Sequence, residues 1–248
     1  MISPGNGQET GHLASKMNKQ GFELTFDHHL LKGDRYEKPC NTIVLHGAGK
    51  SSRDRFSRMR DSLNSNGLPS VGFDFIGHGD TGGDITETSL YGRTQQAETV
   101  IRRACEEPLN LIAASMSAYT AIRLTEIFSV KNMVLLVPAV YTPRAYHLPF
   151  GPEFSAAIRV PGSWKDSDAF RILENFKGNV LIVAAENDHV IPEGVIKGLH
   201  ESAKYAKINQ VYKVPESEHL RLFPRNRDFD SAIRMIVEIC SGNMKNPE

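Results

Sequence analysis

The chain has 248 residues, 40% hydrophobic and 23% charged, which is typical of a soluble globular domain with a substantial core. Lysine plus arginine and aspartate plus glutamate number 29 each, so the net charge is zero and no global field favours nucleic acid or an anionic membrane. The three cysteines are far apart and lack metal-ligand spacing, which favours a reducing cytoplasm, and no apolar run is long enough to span a bilayer.

The chain begins with a polar segment, residues 1–20, that lacks the apolar core of a signal peptide. We predict a flexible lead-in there and a single domain over residues 21–248. Residues 21–26 alternate between apolar and polar side chains as a half-buried strand does, and the following LLKGDRY is expected to return antiparallel to it.

From residue 41 onward, short and nearly continuous apolar runs alternate with helix-length segments. Strands of a parallel sheet that is covered by helices on both faces have this pattern. The predicted strands are TIVLH, SVGFDF, LNLIAA, NMVLLV, VLIVAA and QVYKV. The predicted helices lie near 53–66, 88–106, 116–128, 193–205 and 227–240. The sequence therefore predicts an α/β fold.

Residues 141–169 interrupt this alternation. The segment contains four prolines and several aromatic residues, but it shows no helical or strand period. We therefore predict an insertion here and not an element of the scaffold.

Ser115 is the candidate nucleophile. It follows the buried run LNLIAA and precedes a predicted helix. A nucleophile on a sharp strand-to-helix turn needs small residues two positions before and after it, and Ala113 and Ser117 stand there in place of the usual glycines. Serine is also a common helix cap at such a point. Ser117 competes as the nucleophile, but it is expected inside the first turn of the helix.

Two further residues would supply the base and its acid. Asp188 and His219 each follow a predicted strand, at the sheet edge where Ser115 is expected. Each alone is more often a turn or loop residue, but the order Ser, Asp, His is that of one form of catalytic triad. Together they predict a nucleophile, a general base and an orienting carboxylate. Glu186, which is closer to the strand end, is the alternative acid.

The turn formed by residues 47–49 follows the first predicted parallel strand. With a nucleophile at Ser115, the backbone amides of Ala48 and Met116 would face the oxygen on which negative charge develops during acyl transfer. We therefore predict that these two amides form an oxyanion hole.

These features resemble the α/β-hydrolase family, and the resemblance covers roughly residues 21–240. The pair His46-Gly47 is similar to the family's HG turn, and residues 74–83 (DFIGHGDTGG) are similar to its DxxGHGxS loop. Residues 190–192 match the sequence that usually follows the acid. The chain departs from the family at the elbow, which lacks both glycines, and at Thr81, where the family often has serine.

The resemblance implies a mostly parallel sheet of about eight strands, helices on both faces, and a short cap after the sixth strand, which is where residues 141–169 lie. It implies a serine hydrolase that cleaves a carboxylic ester, with thioesters and small amides as neighbouring substrates, and that needs no metal or cofactor. The expected partner is a small acyl substrate, either free, carrier-bound or a CoA thioester. Aromatic residues of the cap would line the substrate pocket or only pack the cap onto the body: Tyr141, Tyr146, Phe150, Phe154 and Trp164.

Three other patterns point elsewhere. GAGKS before a helix imitates a phosphate-binding loop, but Val44 stands where that loop needs its first glycine. Residues 50–60 contain a basic run. It would attract an anionic substrate or the phosphopantetheine arm of a carrier protein, or it is only the solvated face of a helix. His28, His29 and His78 have no carboxylate or cysteine cluster at metal-binding spacing, and His78 is expected to shape the loop beside the site.

The alternative from a different functional class is a ligand-binding sensor that keeps the hydrolase pocket but turns over slowly or not at all. A pseudoenzyme commonly loses one triad residue, so the presence of all three favours turnover. A perhydrolase or a carbon–carbon bond hydrolase on the same scaffold is the alternative among enzymes, because fold and triad do not fix the reaction.

Overall fold

The computed structural model describes residues 19–36 and 39–244. All but the end of the predicted lead-in therefore lies outside the described residues. Within them, eight strands form one sheet in the order β1-β2-β4-β3-β5-β6-β7-β8. The strands are β1 (Gln20–Phe26), β2 (His29–Arg35), β3 (Thr42–Leu45), β4 (Ser70–Phe73), β5 (Leu109–Ala114), β6 (Val130–Leu136), β7 (Asn179–Ala185) and β8 (Ile208–Val214).

The sheet is mostly parallel. β2 pairs antiparallel with both β1 and β4, and all pairs from β4 to β8 are parallel. Every residue of β3, β4 and β5 is buried, as expected for strands covered on both faces. The predicted antiparallel front hairpin and the six parallel-type strands are confirmed. Because parallel strands end at one edge, the loops after β3, β5, β7 and β8 meet there.

Seven α-helices cover the sheet within the described residues. They are α1 (Ser57–Ser65), α2 (Leu90–Ala104), α3 (Ser117–Leu124), α4 (Pro152–Arg159), α5 (Asp168–Leu173), α6 (Glu193–Ser202) and α7 (Asn226–Ser241). The predicted helix at 53–66 is a 3₁₀ turn (Arg53–Phe56) followed by α1, and the helix predicted to reach residue 128 ends at Leu124. The other three predicted helices agree within a few residues.

The core has two layers, one on each face of the sheet. Ile43 and Leu45 of β3 belong to the layer under α2, α3, α5 and α6, whereas Val44 between them belongs to the layer under α1 and α7. This division follows from the strand geometry, in which successive side chains point to opposite faces. The layer under α1 and α7 is called the α1/α7 layer below.

The segment between β6 and β7 holds two helices, α4 and α5, joined by 3₁₀ turns. α5 begins at Asp168 and packs against α3 and α6, so the expected boundary at residue 169 falls inside an element. Among the described residues, every helix is too short or too polar to traverse a lipid bilayer. Cys40, Cys105 and Cys240 are free thiols.

Candidate active site

Three side chains from three loops form one hydrogen-bonded chain at the carboxyl edge of the sheet. The Oγ of Ser115 lies 3.0 Å from Nε2 of His219, and Nδ1 of His219 lies 2.9 Å from Oδ2 of Asp188. The carboxylate can only accept, so Nδ1 carries the proton and Nε2 is left to accept from the serine hydroxyl. The structure therefore brings together the three residues that the sequence analysis selected for a triad.

Ser115 lies on a tight turn between β5 and α3, with a positive φ of 50°. An L-residue in this left-handed region is strained by roughly 1–2 kcal/mol. The turn is held by its own backbone: the amide of Ser115 donates to Leu136 at 2.8 Å, and its carbonyl accepts from Ala118 and Ala139 at 3.0 and 3.1 Å. This geometry presents the hydroxyl at the sheet edge, as a nucleophile elbow requires.

The Asp188 carboxylate is held by two backbone amides as well as by the histidine. Its Oδ1 accepts from the amides of Val190 and Ile191, each at 2.8 Å, which leaves Oδ2 for His219. Glu186, the alternative acid, is exposed and its carboxylate accepts from the amide of Glu216 at 2.7 Å. The hydrogen bond to the histidine is therefore made by Asp188 and not by Glu186.

Ser217 joins the two loops that carry the acid and the base. Its hydroxyl donates to the carbonyl of Val214 at 2.6 Å and accepts from the amide of Glu186 at 3.1 Å, while its carbonyl accepts from Asn187 at 2.8 Å. The side chain is fully buried. The sequence analysis missed this residue, because a serine two positions before a loop histidine carries no recognisable pattern.

The turn after β3 lies directly against the elbow. A Cβ added to Gly47 would lie 3.3 Å from Cβ of Ser115 and 3.4 Å from the carbonyl oxygen of Ala114, so a larger residue would crowd Ser115. Ala48 lines the same cavity as Ser115, and Met116 stands at the N-terminal end of α3. Both predicted oxyanion amides thus belong to segments that border Ser115.

A buried polar network lies behind this turn. Arg93 is fully buried and donates from Nη2 to the carbonyl of His46 at 2.8 Å, to that of Gly47 at 3.4 Å and to the hydroxyl of Ser117 at 2.9 Å. Ser117 in turn donates to the carbonyl of His46 at 2.5 Å. Ser117 is therefore buried and occupied in binding the turn, which disfavours it as the nucleophile.

His46 is held as a neutral imidazole. Its Nε2 accepts from the amide of Phe75 at 3.2 Å, so Nδ1 carries the proton and donates to the carbonyl of Gly47 at 2.8 Å. Burial, and then repulsion from Arg93 and His78, hold the pKa of His46 well below its usual value. Burial also lowers the pKa of Arg93, to about 9, so its guanidinium is still charged at neutral pH.

The DxxGHG-like loop supports the site from outside the triad. Asp74 is buried and accepts from the amides of Arg53 and Asp80 at 2.7 and 3.0 Å, and it also pairs with the guanidinium of Arg53. Thr81 donates to the carbonyl of Asp74 at 2.7 Å and accepts from the amide of Lys32 at 2.8 Å. The His78 ring is buried, 4.9 Å from the ring of His46.

A cavity of about 740 Å³ opens beside Ser115 and His219. Its apolar wall comes from the sheet edge, α1, α7 and the loop after His219: Phe56, Met59, Leu136, Val137, Leu222, Phe223 and Phe229. A second cavity of similar volume lies beside the first residues of β6 and β7, at the opposite edge, and contains no triad residue. The cavity at the triad is therefore the candidate substrate site.

None of the five aromatic residues predicted for the substrate pocket lines this cavity. Four of them form a cluster in which ring centroids lie 4.8–5.8 Å apart, both with one another and with Tyr119 of α3. Trp164 packs against Phe170 and above Gly194. These residues bury the 141–169 segment on the body, which was the alternative interpretation: Tyr141, Tyr146, Phe150, Phe154 and Trp164.

One group of potential metal ligands differs from the sequence analysis, which found no carboxylate for the histidine pair. The structure places Glu87 beside His28 and His29, with one ligand atom of each within 4.8 Å of the others. His29 Nε2 lies 3.4 Å from the Glu87 carboxylate. The group lies at the turn between β1 and β2 and includes no triad residue.

Comparisons with known proteins bear on the fold. No protein-family model and no curated protein matches the sequence. Among solved structures, a monoacylglycerol lipase from Paleococcus ferrophilus is 20% identical, with a TM-score of 0.68 over 86% of this chain and 99% of that one. Est1E from Butyrivibrio proteoclasticus, solved with ferulic acid, is 16% identical, with a TM-score of 0.70 over 90% of this chain and 98% of that one. A thioesterase domain from the curacin biosynthetic pathway is 14% identical, with a TM-score of 0.66 over 90% of this chain and 99% of that one.

The fold of this chain, an eight-stranded, mostly parallel sheet covered by helices, matches these three proteins over nearly their whole length. At identities of 14–20%, the comparison supports a shared fold but not a shared substrate. The resemblance found in the sequence and the topology found in the structure thus agree. The chain has the fold of the α/β-hydrolase superfamily.

Proposed function

We propose that the protein is a serine hydrolase that cleaves a carboxylic ester or thioester through an acyl-enzyme intermediate. The observation that carries this proposal is the continuous hydrogen-bond chain from Ser115 through His219 to Asp188. A serine hydroxyl is a weak nucleophile until an adjacent base accepts its proton, and this chain supplies that base in the correct tautomer. Solved structures of similar fold include a lipase, an esterase and a thioesterase domain, which agrees with such chemistry.

In the proposed reaction, His219 Nε2 takes the proton of Ser115 as its Oγ attacks the substrate carbonyl. Asp188 holds the imidazole in place and stabilises the imidazolium that forms. The amides of Ala48 and Met116 donate to the oxyanion. The tetrahedral intermediate collapses, and His219 gives its proton to the departing alcohol or thiol.

The acyl-enzyme is then cleaved by water. His219 takes a proton from the water, whose oxygen attacks the ester carbonyl on Ser115, and the histidine returns that proton to the serine as the acid departs. These steps need only the three side chains, two backbone amides and water. We place the reaction in a reducing compartment such as the cytoplasm, in keeping with three free thiols.

The test compares two carboxylates that follow the same strand. Asp188→Asn should lower kcat for a p-nitrophenyl ester on the order of 1,000- to 10,000-fold, because the amide can stabilise the wrong imidazole tautomer and cannot balance the imidazolium charge. Glu186→Gln, the matched control, should stay within about threefold, since its carboxylate does not contact His219.

Equal losses in the two variants, or none in either, would contradict the assignment of Asp188. A wild-type protein that binds acyl compounds without cleaving any ester or thioester would instead support the alternative function, a ligand-binding sensor. Analysis of products formed with and without hydrogen peroxide would separate ester hydrolysis from perhydrolysis.

A further inference from the structure

The basic run of residues 50–60 is divided by the fold into two sets with different roles. Arg53 is bound by Asp34, Asp74 and Asp80, and Arg60 is buried against Asp34 with a separation of 2.7 Å. These two arginines are therefore bound by aspartates of the scaffold. The other members of the run, Lys50, Arg55 and Arg58, are exposed and line the cavity beside Ser115.

A fourth cation completes this basic rim, which consists of Lys50, Arg55, Arg58 and Arg221. Arg221 lies two residues after His219, on the loop that follows β8, and also lines the cavity. Arg55 donates to the carbonyl of Leu220 at 2.7 Å, so the two sides of the rim are joined beside the triad. The rim therefore borders the cavity that contains Ser115.

The rim has little negative charge to balance it. Among the residues that the structure describes, every charged side chain that lines the cavity, apart from the histidine, is cationic. Within the described part of the chain, Lys50, Arg55 and Arg221 form no ion pair, and Arg58 has only a loose one, 3.9 Å from Asp230. Four cations on a chain of zero net charge thus concentrate a positive potential at the entrance to one cavity.

We infer that the substrate joins an apolar portion to an anionic group, a phosphate or a carboxylate, and that the basic rim binds this anion. The inference rests on the proposed function and names its substrate class. The apolar portion lies against Phe56, Met59 and Phe229, and the anion lies at the rim, with the scissile carbonyl at Ser115 between them. Guanidinium groups suit both anions because they donate in pairs to two oxygens.

The anion belongs either to the leaving group or to the far end of the acyl chain, and two matched substrate pairs separate these sources. Butyryl-coenzyme A and butyryl-N-acetylcysteamine share a thioester, but only the first has phosphates. The p-nitrophenyl monoester of glutarate and p-nitrophenyl pentanoate share an acyl length, but only the first has a carboxylate. We expect kcat/KM to be roughly tenfold higher for the anionic member of one pair, because several exposed charges act together.

The variants test whether the rim causes this preference. In Arg55→Gln/Arg58→Gln the ratio of kcat/KM between the anionic and neutral members should fall about tenfold, and added salt should lower the wild-type ratio because it screens exposed charges. Arg103→Gln, which removes an exposed cation of α2 away from the cavity, should leave the ratio unchanged.

The inference is overturned if the wild type shows no preference in either pair, or if the double variant and high salt leave the preference intact. Calorimetric binding of coenzyme A and of glutarate to Ser115→Ala tests the rim without turnover, and no binding of either there would also count against it. Cleavage of neutral esters without preference would remove this inference and leave the proposed function standing.

A second inference concerns the buried Arg93. The carbonyl of Gly47 and the amide of Ala48 belong to one peptide unit, and that carbonyl accepts from both His46 and Arg93. Hydrogen bonds to a carbonyl polarise the N–H on the other side of the same unit, because bonds in series strengthen one another. Arg93 has no carboxylate partner among the described residues, and its Nε and Nη1 have no hydrogen-bond partner there.

The geometry points to Arg93 as a positioning residue that acts through the Gly47–Ala48 peptide on the oxyanion. It fixes the turn against Ser117 and aligns a positive charge behind the amide that faces the developing negative charge. Such preorganised donors act on the transition state more than on the bound substrate. This inference also rests on the proposed function.

Arg93→Met should lower kcat roughly tenfold, less than the loss of an oxyanion donor itself, with KM within about threefold. Affinity for a boronate analogue of the tetrahedral intermediate should fall by the same factor as kcat. Arg93→Lys, which keeps a hydrogen-bond donor for the carbonyls of His46 and Gly47, should recover part of kcat and serves if the Met variant does not fold. An unchanged kcat in either folded variant, or a loss confined to KM, would overturn the assignment.

Discussion

Ser115 is held in a strained backbone conformation. Its φ of 50° places an L-residue in the left-handed region, where glycine is strained far less. Val137, which lines the same cavity, also has a positive φ, of 42°. Strain of this kind persists where surrounding bonds over-determine the backbone, as the three backbone hydrogen bonds of Ser115 do.

We therefore expect Ser115→Gly to be more stable than Ser115→Ala by about 0.5–1 kcal/mol, because glycine relieves the strain while both variants lose the hydroxyl. Urea unfolding of the two variants, with the wild type alongside, measures the difference. Equal midpoints, or a less stable glycine variant, would show that the elbow is not strained.

That Ser115, Asp188 and His219 lie close together could be predicted, because each follows a predicted strand and parallel strands end at one edge of the sheet. Ser217 and Arg93 could not, since they act through hydrogen bonds to backbone carbonyls and amides of distant segments, which leave no spacing in the sequence. The cavity lining was missed for another reason. A run of aromatics shows that side chains will be buried, but not which face of the sheet they will cover.

At the scale of elements, the turn at Ser115 shows how this chain accommodates a serine, and not a glycine, two residues later. Ser117 begins α3, and its hydroxyl donates to the carbonyl of His46 while it accepts from Arg93. A side chain in the position usually occupied by glycine thus joins α3 to the turn after β3. The departure from the family pattern is compensated by a buried contact between two elements.

Ser117→Ala should lower the free energy of unfolding by about 1–3 kcal/mol, because it removes one partner of a buried hydrogen-bond network. Fluorophosphonate labelling should still occur in this variant, at Ser115. Denaturant titration gives the first quantity and intact mass gives the second. Loss of labelling in a folded Ser117→Ala protein would revive Ser117 as the nucleophile.

The α1/α7 layer, and not the 141–169 segment, supplies the apolar wall at Ser115. The cavity lies where Phe56 precedes α1, Met59 lies within it, and Phe229 begins the buried face of α7. These residues come from two segments far apart in the sequence, one at the start of α1 and one in α7. Only the sheet order, which places α1 and α7 on the same face, brings them together.

At the scale of the whole molecule, the sheet was predictable because burial on two faces leaves continuous apolar runs in the sequence. The strand order was not predicted, since apolar runs do not show that β3 lies between β4 and β5. The family resemblance implied a mostly parallel sheet of about eight strands and no order. The helices within 141–169 escaped the sequence analysis because α4 and α5 are short and lie between prolines and 3₁₀ turns.

Stability should depend on pH through the buried histidines beside the site. The pKa of His46 and that of His78 are both lowered, by burial and then by repulsion from Arg93. Below pH about 6.5 the unfolded chain binds protons that the folded chain resists, so stability is lost as the pH falls from there. The loss is at most about 1.4 kcal/mol per pH unit for each histidine.

Urea unfolding at several pH values between 7.5 and 5 measures this loss. His78→Asn should make the dependence shallower, since it removes one of the two groups. A free energy of unfolding that stays constant over this range, or a variant as steep as the wild type, would contradict the neutral, buried state assigned to these rings.

The central claim is that Ser115 is activated by His219, and labelling with a fluorophosphonate tests it most directly. Intact mass and peptide mapping should find one adduct, on Ser115, in the wild type, and none in folded Ser115→Ala or His219→Ala, because only a deprotonated hydroxyl attacks the probe at a useful rate. A folded wild-type protein that takes up no label, or takes it up elsewhere than at Ser115, would contradict the account.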